Sequence, residues 1–381
     1  MADVKQRRTP RWAVLCAVLG GLLMLGSGGV LVAAEVLVNR ISGAIPQGNL
    51  FGDQAPEEQP GADIHGPLNI LLAGVDTRPS RPNETPRADA IVVVHVDETL
   101  SRGYMISIPR DAIVDIPPDP ASGYLGGTDR INAAMFYGAD PQPGEEAPDV
   151  ERGFALLAAT VSQLTGIERF DAGVVMRFVG FRDIVDALGG VRVRLDEPIV
   201  SEHRQPDGTH RPVGCGSYCG PQMVYQPGSP PCEEARTDGS FWCELNGWQA
   251  LDVVRQRKSL SEGDYSRQEN QQRILRAMMD QAVSRDMVTN PIALDRLVQA
   301  AGDNMIFDGR GHDPIDFAFA LRNLRSSTMT MIGLPGTGVG VGDAYQGEQL
   351  DPVAYDLFDA LARGELEAFL AEHPDLESGG R

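Results

Sequence analysis

Between Trp12 and Ala34 the chain carries no charged residue, a run of 23 positions preceded by Lys5, Arg7, Arg8 and Arg11. As a helix such a run is about 34 Å long, enough to cross a hydrocarbon core of about 30 Å. Basic residues on one flank orient it: the positive-inside rule puts the N-terminus in the cytoplasm and everything after Glu35 outside. The expectation is therefore a cytoplasmic tail (1–11), a single-pass transmembrane anchor (12–34) and an extracytoplasmic remainder. A cleaved signal peptide is the competing reading, because Val32-Ala33-Ala34 resembles a cleavage site. The apolar core of such a peptide is only about 7–15 residues long, which favours the anchor. Both readings export the remainder.

Residues 35–67 read as a flexible linker, rich in Pro, Gly and acid through Gln54-Ala55-Pro56-Glu57-Glu58-Gln59-Pro60-Gly61. The remainder to 371 reads as one domain. It opens with three apolar runs: Asn69–Val75, Ala90–Val96 and Tyr104–Ile108. Continuous runs of this length suit strands covered on both faces. Apolar positions at helical spacing mark Phe154–Leu164, ended by Gly166, and Phe178–Leu188, ended by Gly189-Gly190. Asn246–Val254 and Tyr265–Val283 predict two more helices, and Tyr355–Leu370 a last one. Strands and helices intermix, so the fold class is α/β, with α+β character: a central, mainly β sheet covered by helices. The stretch 372–381 reads as a disordered tail.

There are five cysteines; Cys16 lies in the apolar run, while Cys215, Cys219, Cys232 and Cys243 fall in a polar, Pro/Gly-rich insertion (197–243). An exported chain meets oxidising conditions, which predicts two disulfides there and a stapled surface insertion. A four-thiolate zinc site is the alternative, but the spacings lack paired C-x2-C knuckles. The formal net charge of −20, with no long basic run beyond the N-terminus, argues against nucleic acid as a partner. Any anion site must then rely on local arginines against an unfavourable global field.

Two clusters supply such arginines. If the first three strands form an antiparallel meander, the end of the first, the start of the second and the end of the third share one rim. That rim would gather Asp76, Asp89, Arg110, and Arg78 and Arg87 from the connecting loop. Carboxylates with open positions suit Mg2+, which takes one or two protein acids plus phosphate oxygens; arginines suit the phosphates themselves. The second cluster is Arg255-Gln256-Arg257-Lys258, followed by Arg267 and Gln271 at i and i+4 on one helix face. Arg255 and Arg257 align only in extended chain, so the helix from Asn246 should end before them. Ser266 with Glu269 fits a capping box. Solvated charge at strand and helix ends is the plain alternative for each residue taken singly.

Taken together the segments resemble the LytR-CpsA-Psr family of cell-wall ligases, from about Asn69 to Val283 with a weaker echo in Thr328–Leu361. In order they are Leu71-Leu72-Ala73-Gly74-Val75-Asp76-Thr77-Arg78, Arg87-Ala88-Asp89-Ala90-Ile91, Ser107-Ile108-Pro109-Arg110-Asp111 and Arg130-Ile131-Asn132-Ala133-Ala134. Then come Val185-Asp186-Ala187-Leu188-Gly189-Gly190-Val191 and Asn246-Gly247-Trp248-Gln249-Ala250-Leu251. Arg255-x-Arg257 and Arg267-x-x-x-Gln271 complete the series. A chain rich in Ala, Gly, Arg and Val points to an actinobacterial member.

The resemblance implies an Mg2+-dependent phosphotransferase that moves a polyprenyl-pyrophosphate-linked glycan onto a peptidoglycan hydroxyl, at the membrane, with the lipid in an apolar cavity. It implies Asp76 and Asp89 as metal-associated acids. Arg78, Arg87, Arg110, Arg130, Arg255, Arg257, Arg267 and Gln271 become pyrophosphate-binding residues, with Asp89, Arg110 and Arg257 closest to the chemistry. Arg130 stands where many members carry Lys, Asn270 where an Arg is common, and the cysteine insertion is not general to the family. Asp89 or Asp111 is a candidate to take the acceptor proton, Asp111 being better suited to pairing structurally with an arginine. The helix Phe178–Leu188 is a candidate lining for the lipid, a plain core helix being the alternative that the same periodicity suits. A hydrolase of the same lipid, with water as acceptor, and a non-catalytic envelope regulator are the alternatives.

Overall fold

A computed structural model describes residues 45–52, 64–77, 83–212, 220–282, 284, 290–302, 304–340 and 344–377. The expected anchor, most of the expected linker, Arg78, Cys215 and Cys219 lie outside the described residues. Among the described residues no helix is long and apolar enough to cross a membrane.

Strands β1 (Leu68–Val75), β2 (Ala88–Val96) and β3 (Gly103–Ile108) come first. They form the expected antiparallel meander, with Gly74 opposite Ala90 and Ile91 opposite Ile108. A ribbon of β4 (Ile113–Ile116) and β5 (Gly127–Arg130) leads into α1 (Asn132–Ala139) and α2 (Val150–Thr165). There follow β6 (Ala172–Arg177), α3 (Phe178–Ala187), β7 (Val191–Leu195), β8 (Ile199–Val200), β9 (Val224–Tyr225) and β10 (Phe241–Leu245). Helices α4 (Gly247–Arg255), α5 (Asp264–Ala282) and α6 (Pro291–Gly302) precede β11 (Met305–Asp308) and α7 (Pro314–Ala320). The chain closes with β12 (Met329–Gly333), β13 (Gly336–Val339), β14 (Gly347–Leu350), α8 (Pro352–Ala362) and α9 (Leu366–Glu372).

The main sheet has six strands in the order β11-β6-β1-β2-β3-β12, with β1–β6 and β3–β12 parallel. This mixed sheet is covered on both faces, which is why its central strands are apolar throughout. One face buries Leu71, Ala73, Ile91, Val93 and Ile106 against Met135, Phe154, Leu157, Leu357 and Phe358 from α1, α2 and α8. Each fully buried side chain of this size contributes about 1.5–3 kcal/mol. The opposite face buries Val92, Val94, Val96 and Met105 with Phe307 and Phe317, and α5 lays Leu275 and Met279 on it. Helix α2 begins earlier than the apolar spacing alone suggests because Asp149 caps it, accepting from the Arg152 amide at 3.0 Å. Helices α1 and α2 cross closely: a Cβ on Gly138 would sit 2.8 Å from the Arg152 carbonyl oxygen. Any side chain there would force the pair apart.

Several expectations are corrected. Part of the linker belongs to the domain: Leu50 is fully buried, the Gly48 amide donates to the Phe307 carbonyl at 2.9 Å, and Phe51 packs on Phe154 and Phe170. The final helix is two, α8 and α9, because Gly364 takes φ +70° between them. The tail is ordered as far as Glu377, with Leu376 only 4% exposed in the core. The insertion is not confined to the surface: Tyr225, Phe241 and Cys243 are fully buried with Phe181, Val185 and Val253 in a second core under α3 and α4.

Candidate functional site

The meander delivers its rim. Asp76 follows β1, Asp89 is the second residue of β2, and Arg110 follows β3, all at the same edge of the sheet. Asp89 pairs with the Arg110 guanidinium. Asp111, only 2% exposed, faces three arginines: Arg257 Nη2 at 3.6 Å, Arg130 Nη1 at 3.7 Å and Arg110 Nε at 3.9 Å. Arg257 Nε reaches Asp264 at 3.4 Å, and Asp264 holds Arg267 Nη2 at 2.8 Å. The result is a continuous alternating chain, Asp89–Arg110–Asp111–Arg257–Asp264–Arg267. Alongside it Arg255 pairs with Asp76 at 3.0 Å and lies over the Phe178 ring. Arg87 stacks over Phe136 at 4.6 Å.

Two arginines show opposite electrostatic outcomes. Burial disfavours the Arg110 charge, but Asp89, Asp111 and Asp264 outweigh it and hold the pKa above the usual value. Arg267 is 5% exposed; burial, then the charges of Arg110 and Arg257, pull its pKa below the usual value against the opposing pull of Asp264. Arg267 is therefore stored behind the rim on Asp264. The structure also corrects one local reading. Helix α5 starts at Asp264, so Ser266 sits inside the first turn and accepts from the Glu262 amide at 3.3 Å in place of a capping box with Glu269. Gln271 spends its amide NH2 on the Val254 carbonyl at 3.0 Å, tying α5 to α4.

The segment bearing Arg255 and Arg257 is built as the local sequence requires, with one adjustment. Asn246 and Gln249 form a capping box that starts α4. The helix runs through Arg255, one residue further than expected, and Gln256 turns extended with φ −68° and ψ 129°. The insertion fixes this turn. Gln256 is fully buried; its Oε1 accepts from the Glu202 amide at 3.0 Å, and its NH2 donates to the Lys258 carbonyl and to Ser259 Oγ. One turn back, the buried Asp252 accepts from Ser201 Oγ at 2.7 Å and from the Tyr225 hydroxyl at 2.9 Å. Burial raises the Asp252 pKa despite those two donors. A disulfide between Cys232 and Cys243 ties the insertion to β10. The Asp264 and Asp252 roles were not read from sequence, since an acid in a polar stretch looks like solvated charge until its burial is known.

The donor set for a divalent cation fits in a limited way. Asp76 and Asp89 flank one antiparallel strand pair, and among the described residues no group of three or more His, Cys, Asp or Glu could hold a metal. Two carboxylates suit Mg2+ only when phosphate oxygens complete the shell. Both acids are engaged by arginines, so cation and phosphate would exchange partners together.

Residues 49–357 match the family model described as LytR_cpsA_psr family. The chain belongs to the LytR-CpsA-Psr family. It is 27% identical to the cell wall biosynthesis protein LcpA of Corynebacterium glutamicum, over 90% of this chain and 63% of LcpA. It thus spans less than two thirds of that relative's length. It is also 27% identical to the polyisoprenyl-teichoic acid–peptidoglycan teichoic acid transferase TagT of Bacillus subtilis, over 86% of this chain and 87% of TagT. Among solved structures, TagT bound to LI-WTA superposes with a TM-score of 0.53 at 22% identity, covering 85% of this chain and 98% of that one. That superposition establishes the shared LytR-CpsA-Psr fold.

Proposed function

We propose that this LytR-CpsA-Psr protein is an extracytoplasmic, membrane-anchored phosphotransferase. It would join a polyprenyl-pyrophosphate-linked glycopolymer, of teichoic acid, arabinogalactan or capsule type, to peptidoglycan by a phosphodiester. The observation that carries this reading is the alternating arginine–aspartate chain at one sheet edge. Its outer guanidinium groups, Arg110, Arg130 and Arg257, gather around Asp89 and Asp111, and a pyrophosphate offers them oxygens of the same charge. The names of LcpA and TagT support the wall-polymer class.

In this reading Arg110, Arg257 and Arg130 turn from Asp111 and Asp89 to the pyrophosphate oxygens. Arg255 and Arg87 complete the anion cradle, and Arg267 backs it from behind the rim, held on Asp264. Asp76 and Asp89, released by their arginines, would hold Mg2+, which when bound neutralises pyrophosphate charge. The arginines hold the departing polyprenyl phosphate as its negative charge develops, and preorganised donors of this kind carry most of such a catalysis. On that face of the sheet Ile70, Leu72 and Val174 stay only partly buried, as do Leu275 and Met279 of α5, which suits an apolar tail running from the pyrophosphate. Phe178, under Arg255, marks where that tail would meet α3.

The test is transfer of a synthetic polyprenyl-pyrophosphate sugar to peptidoglycan oligomers, with Mg2+ and then with chelator. Polymer-linked product that disappears with chelator supports the proposal. Release of polyprenyl phosphate with water as sole acceptor would make the protein a hydrolase. No turnover of either kind, with intact folding, would make it a non-catalytic envelope protein.

A further inference from the structure

The hairpin of β13 and β14 brings a second set of groups to the rim. The Glu348 amide donates to the Asp111 carbonyl at 2.8 Å, and a Cβ on Gly347 would lie 3.1 Å from Arg130 Cγ, so β14 is seated directly on the arginine cluster. Glu348 is 7% exposed. Its Oε1 accepts from the Tyr345 hydroxyl at 3.2 Å, and its Oε2 is buried with no hydrogen-bond partner. The Tyr265 hydroxyl faces the same carboxylate. Tyr345, by contrast, is only partly buried and stands in the field of Asp111 and Arg257. The rim thus carries a carboxylate that solvent and substrate cannot touch, connected to the cluster by one accessible hydroxyl.

A buried carboxylate met by hydroxyls and by no cation is costly, and a purely structural role for it would normally be completed by a positive charge. Here the other rim acids, Asp76, Asp89, Asp111 and Asp264, are matched to arginines, whereas among the described residues no ion pair reaches Glu348. A phosphotransfer to a sugar hydroxyl needs a group to take that hydroxyl's proton. We propose that Tyr345 and Glu348 form the proton relay for the acceptor hydroxyl, an assignment that rests on the transferase reading above. Tyr345 is the catalytic residue, touching the acceptor; Glu348 is its positioning and proton-accepting partner.

The step balances as follows. The acceptor oxygen forms its bond to the sugar-linked phosphorus while the bridging P–O bond to polyprenyl phosphate breaks, and that electron pair leaves with polyprenyl phosphate. The acceptor proton moves to the Tyr345 oxygen as the Tyr345 proton moves to Glu348 Oε1. Glu348 later returns its proton to solvent through Tyr345. Burial, then Glu348 and Asp111, push the Tyr345 hydroxyl up to about 12 against Arg257, so it works as a conduit and not as a standing phenolate. Asp111 and Arg257 act on Tyr345, Arg130 lies against Gly347, and Tyr265 of α5 faces Glu348 while itself standing in the field of Asp264 and Asp351.

The full chain, solubilised, is assayed with synthetic polyprenyl-pyrophosphate disaccharide and peptidoglycan oligomers, and lipid binding is measured separately. Tyr345→Phe and Glu348→Gln should each lower kcat by about a hundredfold or more. Lipid affinity should stay unchanged, and the acid limb of the wild-type kcat–pH profile should vanish. An acceptor alcohol of lower pKa should recover more activity in the variants than in wild type. Wild-type kcat with an intact acid limb in both variants overturns the relay, as does a loss expressed wholly as weaker lipid binding. If Glu348→Gln fails to fold, Tyr345→Phe decides alone, because it keeps the ring. A wild type that transfers nothing refutes the transferase reading instead.

Discussion

Replacing Asp264 by Asn isolates what the buried part of the arginine chain contributes to stability. Asp264 and Arg267 are 4% and 5% exposed and their charged atoms meet at 2.8 Å. Removing one partner of such a pair leaves the other charge buried without compensation, a loss of about 3–5 kcal/mol. Arg257 also loses a contact, but its side chain is 37% exposed and keeps Asp111 at 3.6 Å. Solvent screening holds that second loss below about 1 kcal/mol. The variant should therefore unfold at markedly lower denaturant with an unchanged slope, followed by tryptophan fluorescence. Because the burden is the orphaned guanidinium, adding Arg267→Met should recover much of the loss instead of adding to it. A single-variant loss under about 1 kcal/mol, or two losses that simply sum, would refute the claim that Asp264 is the counter-charge storing Arg267.

Other outcomes follow from the same geometry. Asp89→Ala, Arg110→Ala and Arg257→Ala should each cut transfer by about a hundredfold or more. Their melting temperatures should shift little, while the exposed Arg322→Ala and Arg363→Ala stay near wild type in both assays. Gln256→Ala removes the fully buried amide that fixes the Arg255–Arg257 turn; it should cost about 1–3 kcal/mol in chemical unfolding and lower transfer with it. Cys232→Ser opens a loop with a sequence separation of 11, and stability should fall by about 3 kcal/mol, read as the difference between unfolding with and without reductant.

Much of the site was legible because it depends on strand ends. Once Asn69–Val75, Ala90–Val96 and Tyr104–Ile108 read as a meander, their terminal charges had to meet, and Asp89 with Arg110 does so. The parts not legible depend on burial. Asp264, Asp252 and Glu348 look from sequence like ordinary solvated acids; each is less than a tenth exposed. Gln271 shared a helix face with Arg267, as expected, but periodicity does not say which carbonyl a side-chain amide will find. Nor did composition distinguish a tether from docked chain at 45–52, where Ile45, Leu50 and Phe51 are the apolar anchors.

By itself the sequence determined the sheet-forming runs, the glycine stops of two helices and the two arginine clusters, because these follow from local periodicity and backbone preference. Tertiary structure alone decided how the clusters combine. It seated β14 beside Asp111, docked the insertion on Gln256 and Asp252, and placed Arg267 behind Asp264 in place of the open rim. The reason is physical: a charge in a sequence has a type and a position, whereas its partner, its solvation and therefore its free energy depend on residues that folding brings from elsewhere in the chain.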